Sequence, residues 1–376
     1  MTLEKKVQSQ PGPLERLGHV ILKRMGKTCP QGVDLAKQRI LTDAEQVQLK
    51  GIARAAVFRA GLAGAISAVI AAAAAVYAEQ SFPETLQYWL VFGSISLMAA
   101  ALEVGFLYFD ALRTAHRISS VCDVELFPES EERSRMAGIM VRAAMELPNP
   151  PDRDPYIDPF RKASKLRILI GVLLYKGKVL VTNALAKVLV RKLLLRGVAR
   201  AWLEFVAVPV TAAWNALVCF WVLRQVRVRA IGPSSVLETL PKLLGGADEL
   251  VAETSQRAVA CCVSASRDLH PNHLYMLEWM RENNGFHVSA NIDDDEVFFS
   301  CFEALNEESK KVVIEVLAMA VIIDGRVAGR EKKFFTSVLG RGPASNEVMS
   351  IKQLDTMAHE FRNGKGVVPF LESERS

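Results

Sequence analysis

The chain has 376 residues, half of them apolar, with a formal net charge of only +5 and 23% charged residues. That length holds two or three domains, and the high apolar share beside an ordinary charged share points to a membrane-embedded part joined to a globular one. The basic residues follow the edges of apolar segments without aromatic interleaving, which excludes nucleic acid as the expected partner.

Residues 1–41 read as a cytoplasmic N-terminal segment. The run LGHVIL is too short for the apolar core of a secretion signal. Thr42-Asp-Ala-Glu45 reads as a capping box that opens a long helix. Within it, residues 60–78 carry no charge, a length of about 28 Å in helical form, close to the hydrocarbon thickness of a bilayer. Ala60, Gly64, Ala68 and Ala72 recur every four residues, a small-residue stripe that lets another helix approach closely and is compatible with a homo-oligomer.

The polar turn EQSFPET follows, then a second apolar segment from Leu86 to Leu102, with Glu103 as its first charge. Tyr88 and Trp89 at one end and Tyr108 at the other sit where an aromatic belt would place them. Residues 42–120 are therefore expected to form a transmembrane helical hairpin, longer than the bilayer requires. Lys37, Arg39, Lys50, Arg54 and Arg59 precede its first apolar run, Arg113, Arg117, Arg133 and Arg135 follow its second, and the turn has no Lys or Arg. That asymmetry places both ends in the cytoplasm. Glu103 either reaches the interface or meets a partner inside the helix bundle, with Lys176 as the named candidate.

Residues 121–159 form a polar, proline-rich loop region, and Asp158-Pro159 marks the next helix start. A helix is expected over 160–196. On a helical wheel Lys165, Lys176, Asn183 and Lys187 fall within about 40° of one another, Arg191 lies another 40° on and Lys178 on the far side, so most of the charge lies in one stripe on an apolar cylinder. A second apolar run, 205–223, includes Pro209 and Asn215 and ends in Arg224, Arg227 and Arg229. Residues 160–230 are thus expected to form a second hairpin, membrane-inserted or re-entrant.

The remaining residues, 231–362, read as helices only, with a flexible tail over 363–376. Ser235-Val-Leu-Glu238 reads as a capping box that opens a new helix. Further helices are expected over 247–269, 273–283, 294–305, 307–323, 329–339 and 346–362. Asp293-Asp294-Asp295-Glu296 lacks the spacing of a calcium loop and reads as a helix start. His270 and His273 flank Pro271 and are not expected to share a helical face. The six cysteines form no CxxC pair and read as reduced thiols. No Walker loop, GxSxG, SxxK or HExxH is present, so no enzyme is expected.

The stretch VLAMAVIIDGRVAGREKKFFTSVLG resembles the tellurite-resistance TerB-like family of small helical domains. The matching residues are Ala320, Asp324, Gly325 and Glu331, followed by Phe334, Phe335 and Leu339-Gly340. The resemblance implies a divalent cation at Asp324 and Glu331 and a link to stress response or envelope-associated assemblies. The residues alone also admit structural roles: a positive φ at Gly325, turn bonds from Asp324 and a helix-start carboxylate at Glu331.

The expectation is an all-α protein of the bacterial inner membrane, a helical-hairpin membrane domain plus a cytoplasmic all-α (TerB-like) domain. It would act as a non-enzymatic interaction module, stress- or ion-responsive, with the lipid bilayer and a protein as partners. The alternative is a small transporter or channel using Glu103, Lys176, Lys187 and Asn215 as intramembrane polar groups.

Overall fold

The computed structural model describes residues 12–26, 41–82, 86–122, 124, 126, 131–147, 157, 200–284, 292–343 and 350–365. Among the described residues every regular element is an α-helix. The helix expected over 160–196 lies outside them. In chain order the helices are α1 (Pro13–Gly26), α2 (Asp43–Ser81), α3 (Leu86–Val121), α4 (Glu131–Ala144), α5 (Arg200–Leu244), α6 (Glu249–Ser266), α7 (Pro271–Asn284), α8 (Asp295–Glu303), α9 (Glu307–Ile322), α10 (Gly329–Leu339) and α11 (Ile351–Arg362).

The chain divides into two compact units, and the boundaries at 49/50, 115/116 and 223/224 fall inside α2, α3 and α5. One unit takes Lys50–Ala115 and Ser164–Leu223; the other takes Met1–Leu49, His116–Ala163 and Arg224–Ser376.

In the first unit, α2 and α3 are long and apolar enough to cross a membrane. At 39 and 36 residues they are about 58 and 54 Å long, well beyond a bilayer core. Thr42 opens α2 as expected. Its backbone N–H donates to Glu45 Oε2 at 2.7 Å, and the Glu45 N–H donates back to Thr42 Oγ1 at 3.4 Å. Only 6% of the most apolar window of α3 is buried, and 33% of that of α2. A core helix of a water-soluble domain would bury most of it. Instead Leu90, Leu97, Met98, Leu102, Phe106 and Phe109 of α3 stand exposed, as do Phe58, Leu62 and Ile66 of α2.

Residues 205–223 belong to α5, which does not end where the sequence suggested. No new helix opens at Ser235. The 45-residue helix runs through Gly232, Pro233 and Pro241 to Leu244. Proline removes one backbone donor and crowds the preceding turn, a cost of about 3 kcal/mol. Packing offsets it: Val226, Val228, Ala230, Ile231, Val236 and Leu240 are all buried.

In the second unit, α6 and α9 form the centre of a helical bundle. Every residue of α9 from Val313 to Ile322 is buried, and so is nearly all of α6 from Val251 to Ser264. Phe298, Phe302, Phe335 and Phe361 are fully buried around them, each contributing about 1.5–3 kcal/mol through lost apolar surface. Asp294 caps α8, accepting from the Glu296 and Val297 N–H groups, which bears out the helix-start reading of the acidic run. The described cysteines, Cys122, Cys219, Cys261, Cys262 and Cys301, are all free thiols.

Candidate functional site

Two groups of buried polar residues stand out, one in each unit. In the first unit Asn215 of α5 donates from Nδ2 to Glu103 Oε1 of α3 at 2.6 Å. Asn215 is buried. Gly64 of α2 makes room for it, since a Cβ there would stand 2.5 Å from Asn215 Nδ2 and 2.9 Å from the Thr211 carbonyl. A Cβ on Gly61 would likewise meet the Ala212 carbonyl at 3.3 Å. The small-residue stripe is thus covered at Gly64, and Gly61 is covered beside it, by the chain's own α5. Glu103 has an amide partner; Lys176 and Lys187 lie outside the described residues.

An ion pair that sequence reading missed closes the same hairpin. Arg59 of α2 donates from Nε and Nη2 to the two carboxylate oxygens of Asp110 on α3, at 2.9 and 3.1 Å. Asp110 is buried. The bidentate fork is the strong form of such a pair. The signal was available, because the two residues flank the apolar runs at matching distances from the turn.

In the second unit the Asp-Gly turn joins α9 to α10. Gly325 has φ +74°, the left-handed region that glycine enters without strain. Asp324 Oδ1 accepts from the Arg326 N–H at 2.6 Å, and Glu331 Oε2 accepts from the Ala328 N–H at 2.6 Å. Both carboxylates therefore hold the turn and the start of α10. Glu331 is fully buried, and its Oε1 has no hydrogen-bond partner.

Burial governs the protonation of these groups. Desolvation raises the Asp324 carboxyl to about 7, opposed by its bond to the Arg326 amide. Desolvation, helped by the charge of Asp324, raises Glu331 to about 8. The thiol of Cys262, buried and facing the charge of Glu331, is also pushed up. No group of three or more His, Cys, Asp or Glu among the described residues is placed to hold a metal ion. Two carboxylates, each already committed to a backbone amide, do not complete the six to eight oxygens that calcium requires.

Beside this turn lies a polar joint that sequence reading did not find. Asn272 Nδ2 donates to the carbonyls of Val228 on α5 and Ile323 at the end of α9, at 3.0 and 2.8 Å. Gly232 permits that approach: a Cβ there would collide with the Asn272 side-chain amide. His270 Nδ1 accepts from the Asn272 N–H at 3.3 Å. His273 Nε2 bonds the Ala320 carbonyl at 2.8 Å.

His270 precedes α7 and His273 lies in its first turn, and the two rings have centroids 6.2 Å from each other. Proline is tolerated in the first turn of a helix, so Pro271 starts α7 without separating its neighbours. Burial lowers both imidazole pKa values, that of His270 well below the usual range. Burial thus disfavours the charged form of both rings.

No protein-family model matches the chain, and no curated protein or solved structure matches it.

Proposed function

We propose that the chain is a membrane-anchored, non-enzymatic protein whose helical module, residues 231–362, is a TerB-like interaction domain held at the cytoplasmic face of a bacterial inner membrane. The observation that carries this reading is the bareness of the hairpin: only 6% of the apolar window of α3 is buried. Exposed apolar surface of that extent is stable in lipid, not in water. The basic residues at both ends of the hairpin, with none in its turn, support a cytoplasmic module. The commitment of Asp324 and Glu331 to backbone amides favours a binding scaffold over chemistry at that turn.

Topology tests it. In a chain stripped of native cysteines, Phe82→Cys and Gly340→Cys are labelled in intact cells with an impermeant thiol reagent. Labelling of the first alone, in a chain that resists carbonate extraction, is the expected result. Recovery of the chain in the soluble fraction, or labelling at position 340, overturns the reading.

A second reading, a small transporter or channel, is favoured by one contact: Glu103 and Asn215 face each other between helices. The two readings part at Glu103→Gln. A scaffold shows a change in stability alone; a transporter loses ion flux in reconstituted vesicles.

A further inference from the structure

The residue that follows the charge-free run 205–223 is Arg224, and α5 continues from it through Arg227 and Val228. This turn of α5 meets the Asp-Gly turn and the end of α11. A Cβ on Gly325 would stand 2.8 Å from Arg362 Cγ and 2.9 Å from Val228 Cγ2. A Cβ on Gly364 would stand 4.0 Å from Arg227 Cδ. Arg326 leaves the chain directly after Gly325. Three elements thus bring Arg224, Arg227, Arg326 and Arg362 together.

Among the described residues none of the four forms an ion pair. The one side-chain hydrogen bond found is from Arg362 Nη2 to His359 Nδ1, at 3.3 Å. Arg227 Nε is buried without a hydrogen-bond partner. Desolvation, then the charges of Arg362 and Arg326, lower the pKa of Arg224; desolvation, then Arg224, lower that of Arg227. Asp324 neutralises the group only in part, because it is buried and its own carboxyl is raised to about 7. Like charges gathered this way repel one another unless an anion sits among them.

We propose that Arg224, Arg227, Arg326 and Arg362 form a binding site for the phosphate of an anionic lipid headgroup. Guanidinium forks match phosphate oxygens in pairs, which a lysine cluster would not. The lipid source follows from the place of Arg224 at the end of an apolar run, where a helix leaves the hydrocarbon and headgroups begin. The assignment rests on the membrane reading above. It makes the module's footing sensitive to the acidic lipid content of its leaflet.

The test uses the full chain in neutral detergent, with bound lipid read by native mass spectrometry. It is titrated with short-chain phosphatidylglycerol, with phosphatidylcholine and with glycerol phosphate. Retention of phosphatidylglycerol but not phosphatidylcholine is expected. Arg326→Gln with Arg362→Gln weakens it roughly 25-fold, taking about five-fold for each arginine removed. Arg326 is exposed, so Arg326→Gln alone gives a weakened variant that keeps its fold, checked by circular dichroism. Arg330→Gln, at the exposed start of α10, leaves retention unchanged.

Equal retention of both lipids, or unchanged retention in the double variant, overturns the proposal while the membrane reading stands. Competition by glycerol phosphate as strong as by the lipid overturns the lipid assignment in favour of a free anion. A chain soluble without detergent overturns the membrane reading and this site with it.

Discussion

Glu331 shows how burial turns a carboxylate into a pH-dependent structural group. Its folded pKa, about 8, lies above the ordinary value of 4.5. A group whose pKa is raised on folding contributes stability that is full at low pH and is lost as pH rises through the folded value. Asp324, raised to about 7, acts in the same direction. Thermal unfolding of the solubilised chain is therefore expected to show a module more stable at pH 5.5 than at pH 8.5. Glu331→Gln keeps an oxygen for the Ala328 N–H and flattens that slope; an unchanged slope would remove Glu331 as its source. The residues of this turn were legible from spacing, because their bonds run two and three positions along the chain. Asn272 was not, because its acceptors lie 44 and 51 positions away.

Among the elements, α2 and α5 carry the sharpest contrast. The stripe on α2 predicted a close helix neighbour, and the neighbour is α5. Gly64→Leu would drive a side chain into Asn215 and the Thr211 carbonyl, at an expected cost of about 1–3 kcal/mol. Gly93 of α3 has nothing within 4 Å of its Cβ position, so Gly93→Leu is the matched control with no such loss. Thermal stability of the two variants in one detergent separates them.

The opposite lesson comes from α5. Local signals at Gly232, Pro233 and Ser235 all argue for a helix boundary, yet the helix continues. Asn272 and the bundle bury this stretch and supply a donor to the Val228 carbonyl, contacts that no local pattern encodes. Gly232→Ala and Asn272→Ala are each expected to destabilise the chain, the second by about 1–3 kcal/mol from buried carbonyls left unpaired. The pair should be non-additive in a double-mutant cycle, since removing Asn272 removes the clash at Gly232.

At the scale of the whole molecule, one ion pair ties the N-terminal helix to the rest of its unit. Arg142 of α4 donates from Nε and Nη2 to both oxygens of Glu15 on α1, at 2.8 and 2.7 Å. The pair is buried, with Glu15 only 7% exposed. Arg142→Met would leave a buried carboxylate without its cation, a loss of about 3–5 kcal/mol. Hydrogen exchange over residues 13–26 should rise selectively; unchanged protection there would mean that the apolar face of α1 suffices to dock it.

The sequence by itself determined the helical class, the two bare apolar helices, the cap at Thr42, the acidic start of α8 and the geometry of the Asp-Gly turn. All are set by periodicity, by runs of apolar residues or by bonds within a few positions, which a linear reading can measure. Tertiary structure alone decided that Glu103 meets Asn215, that Arg59 meets Asp110, that α5 passes through its prolines, and that four arginines gather at one corner. Each depends on which distant surfaces pack together. That choice belongs to the summed burial of many side chains, and no single stretch of the chain contains it.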